Sequence, residues 1–395
     1  MTVTIPAPVP RPQINDLEET GIMKIFLHGV GRKDVIPFWA GEGDVATPDF
    51  ICDAVNRSLA AGETMYSHSR GIPEMREALA AYMTRTFGVP VGEERISLTT
   101  SGMVAIVVAV QMAAGPGDEV VVLGPVWPNI YSVVEVAGAS VRHAGLTQDA
   151  DGWRLDLDHL FAQVTARTTA IFVNSPGNPT GWVITPEQQR RLLAFARERG
   201  IWLIVDEVYH NLVFDRDVAP SFLQVADPED RLLVVNSFSK SWLMTGWRLG
   251  WLTHPASLAD VSTKLIQVIT SCCPVFLQRG AIAALEQGDP VIADLRARCR
   301  QGRDIVMDRL ASWPRVRAHA PAGAFYAFFE VDGVTDSLAT CREILDRCQV
   351  GLAPGIAFGP QGEGYLRLCF ASRPETLRAG LDRLEGYLGG GSRQL

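Results

Sequence analysis

Only four of the 36 basic residues are lysines: Lys24, Lys33, Lys240 and Lys264. Any mechanism that needs a lysine amine therefore has four candidates. Lys240 closes the stretch Asn236-Ser237-Phe238-Ser239-Lys240, which follows the apolar run Leu232–Val235. Two similar runs also end in polar residues. Thr169–Val173 leads into Asn174-Ser175-Pro176-Gly177-Asn178-Pro179-Thr180-Gly181, and Trp202–Val205 leads into Asp206-Glu207-Val208-Tyr209. A lysine amine can attack a carbonyl carbon and carry protons, a carboxylate can pair with a cation, and Asn and Tyr can hold a polar oxygen. Upstream, Thr99-Thr100-Ser101-Gly102-Met103 feeds a helix expected over Val104–Ala114. Free backbone N–H groups at a helix start attract anions.

The elements that must position these groups follow from hydrophobic patterning. The runs Glu119–Leu123, Thr169–Val173, Trp202–Val205 and Leu232–Val235 are continuous, apolar and rich in β-branched residues. Helical stretches lie between some of them, such as Pro186–Arg199, with Thr185 as cap and Gly200 as stop. This alternation predicts an α/β fold with a mostly parallel central sheet covered by helices. In such sheets ligands sit at the carboxyl ends of the strands, where the polar residues above occur. Ile51–Ala61 and Ile72–Thr86 read as amphipathic helices, and a long helical segment spans about 256–311. Beyond it, strands at Phe325–Val331 and Tyr365–Phe370 with helices at Ser337–Gln349 and Pro374–Leu388 predict a smaller α+β domain. We expect a large domain over 47–286, and a small domain from 287–395 joined by 1–46. Pro6, Pro8, Pro10 and Pro12 predict an extended arm before the first helix, and Gly389–Ser392 a frayed end.

Composition narrows the function. The chain has 395 residues, 47% hydrophobic and 20% charged, with a net charge of −8. That suits a cored globular enzyme and offers no general attraction for nucleic acid or an anionic membrane. The apolar runs fall short of the about 18 residues a membrane helix needs. The first residues show no basic head before an apolar run, so we expect no secretory signal and a cytoplasmic protein. Seven cysteines without a Cys-x-x-Cys, and seven histidines without a His-x-x-x-His, suggest neither a disulfide framework nor a metal site.

Three neighbouring strand ends and one helix start together ask for a particular ligand. It needs a phosphate for the helix start, a group that pairs with a carboxylate, and a carbon that reacts with a lysine. Pyridoxal 5′-phosphate has all three.

The motifs also resemble a known family. Ser237-Phe238-Ser239-Lys240-Ser241-Trp242-Leu243-Met244-Thr245-Gly246-Trp247-Arg248-Leu249-Gly250 looks like the lysine signature of the class I/II aminotransferases, which are fold type I pyridoxal-phosphate enzymes. Asn178-Pro179-Thr180-Gly181, Asp206-Glu207-Val208-Tyr209, Tyr66 with Gly71–Arg76, and Leu366-Arg367-Leu368 match the same family in the same order. The likeness covers roughly 36–388.

The resemblance implies roles. Lys240 would form the internal aldimine with the cofactor and move the proton between Cα and C4′, its amine kept neutral by a cationic cofactor with Arg248 nearby. Asp206 would pair with the pyridinium nitrogen, and Tyr209 and Asn178 would hydrogen-bond the phenolate oxygen. Ser101, Gly102 and Met103, with Ser237, Ser239 and Arg248, would cup the phosphate, Met103 through its backbone N–H alone. Trp127 would stack on the ring. Arg367 would bind the substrate α-carboxylate, with Arg373 as a rival and Gly41 assisting through its backbone. Tyr66 would reach the cofactor of a partner subunit, which implies a homodimer with shared sites. His28, His68 and Arg70 receive no role, and Cys272-Cys273-Pro274 is read as packing. The implied reaction is ping-pong transfer of an amino group from an L-amino acid to a 2-oxo acid. The same residues also suit lyase, cyclase or oxidase chemistry on an amino acid. A non-enzymatic pyridoxal-sensing regulator would carry an added DNA-binding domain, for which the N-terminus is short and not basic.

Overall fold

The computed structural model describes residues 9–390. Pro6 and Pro8 of the expected arm, and Gly391 and Ser392 of the expected frayed end, lie outside them. Seven strands form the main sheet: β1 (Ile96–Thr99), β2 (Glu119–Gly124), β3 (Ser140–Gly145), β4 (Thr168–Asn174), β5 (Trp202–Asp206), β6 (Leu232–Ser237) and β7 (Gly250–Thr253). Their spatial order is β1-β7-β6-β5-β4-β2-β3. The four runs expected as strands are present as β2, β4, β5 and β6, each buried along its length or nearly so. They are mutually parallel, as fully apolar runs require when helices cover both faces. The strand β7 is antiparallel to both β1 and β6. It and β1 have only four residues each, too few to show a period in the sequence.

Register sets the height of the polar residues. Asn174 lies opposite Asp206 across β4 and β5, while Asp206 lies opposite Val235, two residues before Ser237. On the other side of β6, Gly250 faces both Ser237 and Thr99. A Cβ at Gly250 would stand 2.4 Å from the backbone N of Gly102, so glycine there lets the next helix start against the sheet.

Helix ends obey local chemistry. Pro186–Arg199 begins with a capping box between Thr185 and Gln188 and stops at Gly200, whose φ is +63°. The long helical segment divides into Ala259–Thr270, Val275–Gln287 and Asp289–Ala311, interrupted at Ser271–Pro274 and at Gly288. A second, four-stranded sheet is built from Val316–Ala318, Tyr326–Val331, Ala353–Pro354 and Tyr365–Cys369, all antiparallel. The N-terminal segment joins this part of the chain, since Ile36–Pro37 pairs in parallel with Val350–Gly351.

One expectation needs correction. The segment before Ile51 is not simply extended. It holds helices at Pro12–Asn15 and at α1 (Gly21–Gly29). Pro12 sits at the first position of its helix, where its missing N–H costs nothing. Thr20 caps α1 by accepting from the Met23 N–H at 3.3 Å. Ile25 is fully buried, and Gly29 lies so close to the Trp39 indole that a Cβ would stand 2.5 Å from it. Pro12 thus opens a helix rather than forbidding one, and α1 lies clear of the prolines. Among the described residues no helix is long and apolar enough to cross a membrane.

Candidate functional site

The strand ends open into a cavity of about 590 Å³. Twelve of the residues singled out from the sequence line it: Gly41, Gly102, Met103, Trp127, Asn178, Asp206, Tyr209, Ser237, Ser239, Lys240, Arg248 and Arg367. Two stand elsewhere. Ser101 is buried and its Oγ accepts from the Val104 N–H at 3.1 Å, capping α2 (Gly102–Ala113). Tyr66 is 90% exposed and outside the cavity of its own chain.

Lys240 leaves β6 through a four-residue helical turn, Phe238–Ser241. Its Nζ donates to the Gly41 carbonyl at 2.6 Å. A Cβ on Gly41 would meet the Tyr326 hydroxyl at 2.6 Å, so that close approach requires glycine. Burial pulls the Lys240 amine down to about 8, and the Arg367 cation pushes the same way. Among this chain's own groups desolvation is the largest cause, and the cation that adds to it is Arg367 rather than Arg248.

Asp206 ends β5, buried, and accepts from the Val208 N–H at 3.1 Å. Burial raises its carboxyl to about 7, outweighing the Val208 N–H and the Lys240 charge, which pull the other way. A buried carboxylate with so little compensation is suited to a cationic partner. Next to it Glu207 points away from the cavity. It accepts from Ser221 Oγ at 2.7 Å and the Phe222 N–H at 2.9 Å.

Arg367 projects from Tyr365–Cys369, buried. Its Nη1 donates to Asn178 Oδ1 at 3.0 Å and its Nη2 to the Trp39 carbonyl. The guanidinium lies 4.4 Å from the Tyr326 ring centroid and 5.0 Å from that of Phe358. Its Nε is buried without a partner, so one donor remains unpaired. Arg373 is different: its backbone N–H and Nε turn to Asp44, outside the cavity. Asn178 is held by its own N–H donating to Asn174 Oδ1 at 2.8 Å.

Sequence reasoning missed several lining residues. Tyr326 shares a 2.8 Å hydroxyl contact with Tyr209, and desolvation raises both phenols. Its only sequence cue is an aromatic pair, Phe325-Tyr326, opening a strand. Glu42 accepts from Thr245 Oγ1 at 2.8 Å. Ile22, Met23 and Phe26 of α1 also line the cavity, contributed by a helix that was not foreseen. His28 pairs with Asp346, and Arg70 donates to the carbonyls of Glu93, Glu94 and Ile96. Neither lines the cavity.

The donor set fits pyridoxal 5′-phosphate. Backbone N–H groups at the start of α2 with two serine hydroxyls and Arg248 suit a phosphate, Asp206 suits a ring cation, and Lys240 offers the amine. Gly102 packs close to Ser237, where a Cβ would stand 3.1 Å from the serine Cβ.

Comparison with known proteins agrees with this geometry. The family profile "Aminotransferase class I and II" matches residues 33–384. An aspartate aminotransferase of Thermotoga maritima is 34% identical over 356 residues, covering 90% of this chain and 92% of that protein. The crystal structure of a Thermus thermophilus aspartate aminotransferase mutant superposes with a TM-score of 0.89 at 30% identity, covering 95% of this chain and 99% of that one. An alanine aminotransferase of Pyrococcus furiosus gives a TM-score of 0.90 at 26% identity, covering 96% and 99%.

Proposed function

The chain belongs to the class I and II aminotransferases and is a pyridoxal-phosphate-dependent transaminase, and from that premise we propose a ping-pong transfer of the amino group of an L-amino acid to a 2-oxo acid, with Lys240 as the point of covalent attachment. The observation that carries the reading is the convergence of Lys240, Asp206, Asn178 and Arg367 on one cavity, with Arg367 bonded to Asn178 at 3.0 Å. When bound, pyridoxal 5′-phosphate supplies a carbonyl carbon for amine exchange and a cationic ring that accepts electrons from the donor Cα.

This chain's residues do the rest. Gly102, Met103, Ser237, Ser239 and Arg248 hold the phosphate, and Ser101 serves by capping the helix that presents those N–H groups. Asp206 accepts the ring nitrogen's proton in a hydrogen bond and keeps it there, because a buried carboxylate gains most from a cationic neighbour. Trp127 covers a ring face, and Tyr209 and Asn178 donate to the ring oxygen. Arg367 binds the donor α-carboxylate, with the Gly41 backbone beside it. Once the donor's amine has displaced it from the cofactor's carbonyl carbon, Lys240 Nζ, neutral above a pH of about 8, would take the proton from the donor Cα and deliver it to that carbonyl carbon, two bonds away. Desolvation in the cavity lets that amine lose its proton at a lower pH than an ordinary lysine.

A large cofactor-binding domain over 47–286 and a small domain from 1–46 and 287–395 are part of this reading, which sets the cavity where the two meet. A homodimer is also part of it. The exposure of Tyr66 outside its own chain's cavity supports a role in the partner's site. The names of several relatives point to aspartate as a donor to include in any assay. Lyase, cyclase and oxidase chemistry are not favoured by the family. The test is a half-reaction on the cofactor-loaded protein. Each equivalent of 2-oxo acid should appear with the amino group retained on the protein, no ammonia released, and full recovery on adding a 2-oxo acid. Ammonia released in step with 2-oxo acid would overturn the proposal.

A further inference from the structure

Counted within one chain, the cavity has cations for the cofactor and one carboxylate and none to spare. Among the described residues that line it the cations are Lys240, Arg248 and Arg367, and the carboxylates are Asp206 and Glu42. In the reading above, which this inference rests on, all three cations are engaged: one by attachment, one by phosphate, one by the donor α-carboxylate. His28 and Arg70 are committed elsewhere.

What lies beside the α-carboxylate site is apolar. Trp39 links the two regions, because its carbonyl accepts from Arg367 while its indole meets the Phe26 ring edge-on at 6.2 Å. Phe26 and Ile22 are four residues apart on α1, and Met23 is three from Phe26, so all three share a face. Met23 and Phe26 remain 44% and 43% exposed although both line the cavity. Large apolar side chains left half-bare inside a reaction cavity gain by being covered.

We propose that Ile22, Met23, Phe26 and Trp39 form the donor side-chain subsite, and that it takes a large uncharged apolar or aromatic amino acid rather than a dicarboxylic one. A donor held on Arg367 has its α-carboxylate beside the Trp39 carbonyl, and from that residue the apolar lining continues through the Phe26 ring to Met23 and Ile22. A second carboxylate in the same place would be desolvated against apolar carbon, with no cation of this chain to pair with and Glu42 on the same cavity wall.

The test uses the cofactor-loaded enzyme and two unreactive probes, 3-phenylpropanoate and succinate, titrated calorimetrically, beside half-reaction kcat/KM for L-phenylalanine, L-leucine and L-aspartate. 3-Phenylpropanoate should bind at least about tenfold more tightly than succinate, and the better apolar donor should exceed aspartate by a similar factor. Phe26→Arg places a cation on the exposed face of α1 and should lower both ratios at least about tenfold. Met23→Lys should act in the same direction, so one poorly folded variant does not end the test. Preference of the wild-type protein for succinate and aspartate would overturn the subsite, as would ratios unmoved in both variants. If no amino acid were converted, the transamination reading would fall, and the two binding constants would still decide the subsite by themselves.

Discussion

Replacing Asp206 by Asn should stabilise the empty protein and disable the loaded one. Burial raises the Asp206 carboxyl from the ordinary 3.8 to about 7. At ~1.36 kcal/mol per pH unit, holding this carboxylate ionised in the folded chain costs about 4 kcal/mol once the pH exceeds its folded value. The sign follows from proton counting. Between about 4 and 7 the folded state binds more protons than the unfolded one, so stability falls as pH rises through that window and stays low above it. Asn keeps the oxygen that accepts from Val208 but carries no charge. In urea unfolding of cofactor-free protein, Asp206→Asn should therefore exceed wild type by up to ~4 kcal/mol at pH 8.5, with the gap closing below pH 5. Solvent relaxation makes that figure an upper bound. With the cofactor bound the order reverses, because a neutral amide cannot hold the ring nitrogen protonated. Cofactor affinity should fall, and the half-reaction should slow by about two orders of magnitude or more. Equal stabilities of the empty proteins at pH 8.5, or a gap that does not depend on pH, would refute the reasoning from burial. An unchanged half-reaction would refute the role of Asp206.

Three further outcomes are expected. Lys240→Ala should lose covalent attachment of the cofactor, read by mass after borohydride reduction, and should lower turnover by several orders of magnitude; in the wild-type protein, cofactor capture should speed up as pH rises through about 8, where the amine loses its proton. Arg367→Ala should raise KM for the amino donor by roughly 10- to 100-fold, as loss of a charge-assisted contact of about 1.5–3 kcal/mol predicts, and an unchanged KM would remove it from the carboxylate site. Mixing Lys240→Ala chains with chains carrying a disabling Tyr66 substitution should restore wild-type chemistry at about a quarter of all sites after subunit exchange, since half the dimers are hybrids with one intact site each; activity no higher than the parental average would mean that the two residues serve from one chain or that Tyr66 is not at the site at all.

Much of the chemistry was legible in local order. Asn178, Asp206, Tyr209, Ser237, Ser239 and Lys240 each follow a continuous apolar run, and such short β-branched runs alternating with helices point to central parallel strands, whose carboxyl ends gather at one edge. Thr185 and Gly200 announced a helix through backbone chemistry that acts within four residues. These features depend on neighbours in the chain, so the sequence alone determined them. The tertiary structure decided what depends on distant partners. The strand β7 owes its place to pairing with both β1 and β6 rather than to its own four residues. The helix α1 has a local cap in Thr20 but is seated by packing of Gly29 on Trp39 and by burial of Ile25, so nothing local told that its three apolar residues would line the cavity. Tyr326 meets Tyr209 from 117 positions away, and Arg367 meets Asn178 from 189. The lowered amine of Lys240 and the raised carboxyl of Asp206 belong to the same class. Desolvation is a property of everything packed around a group, and no spacing along the chain encodes it.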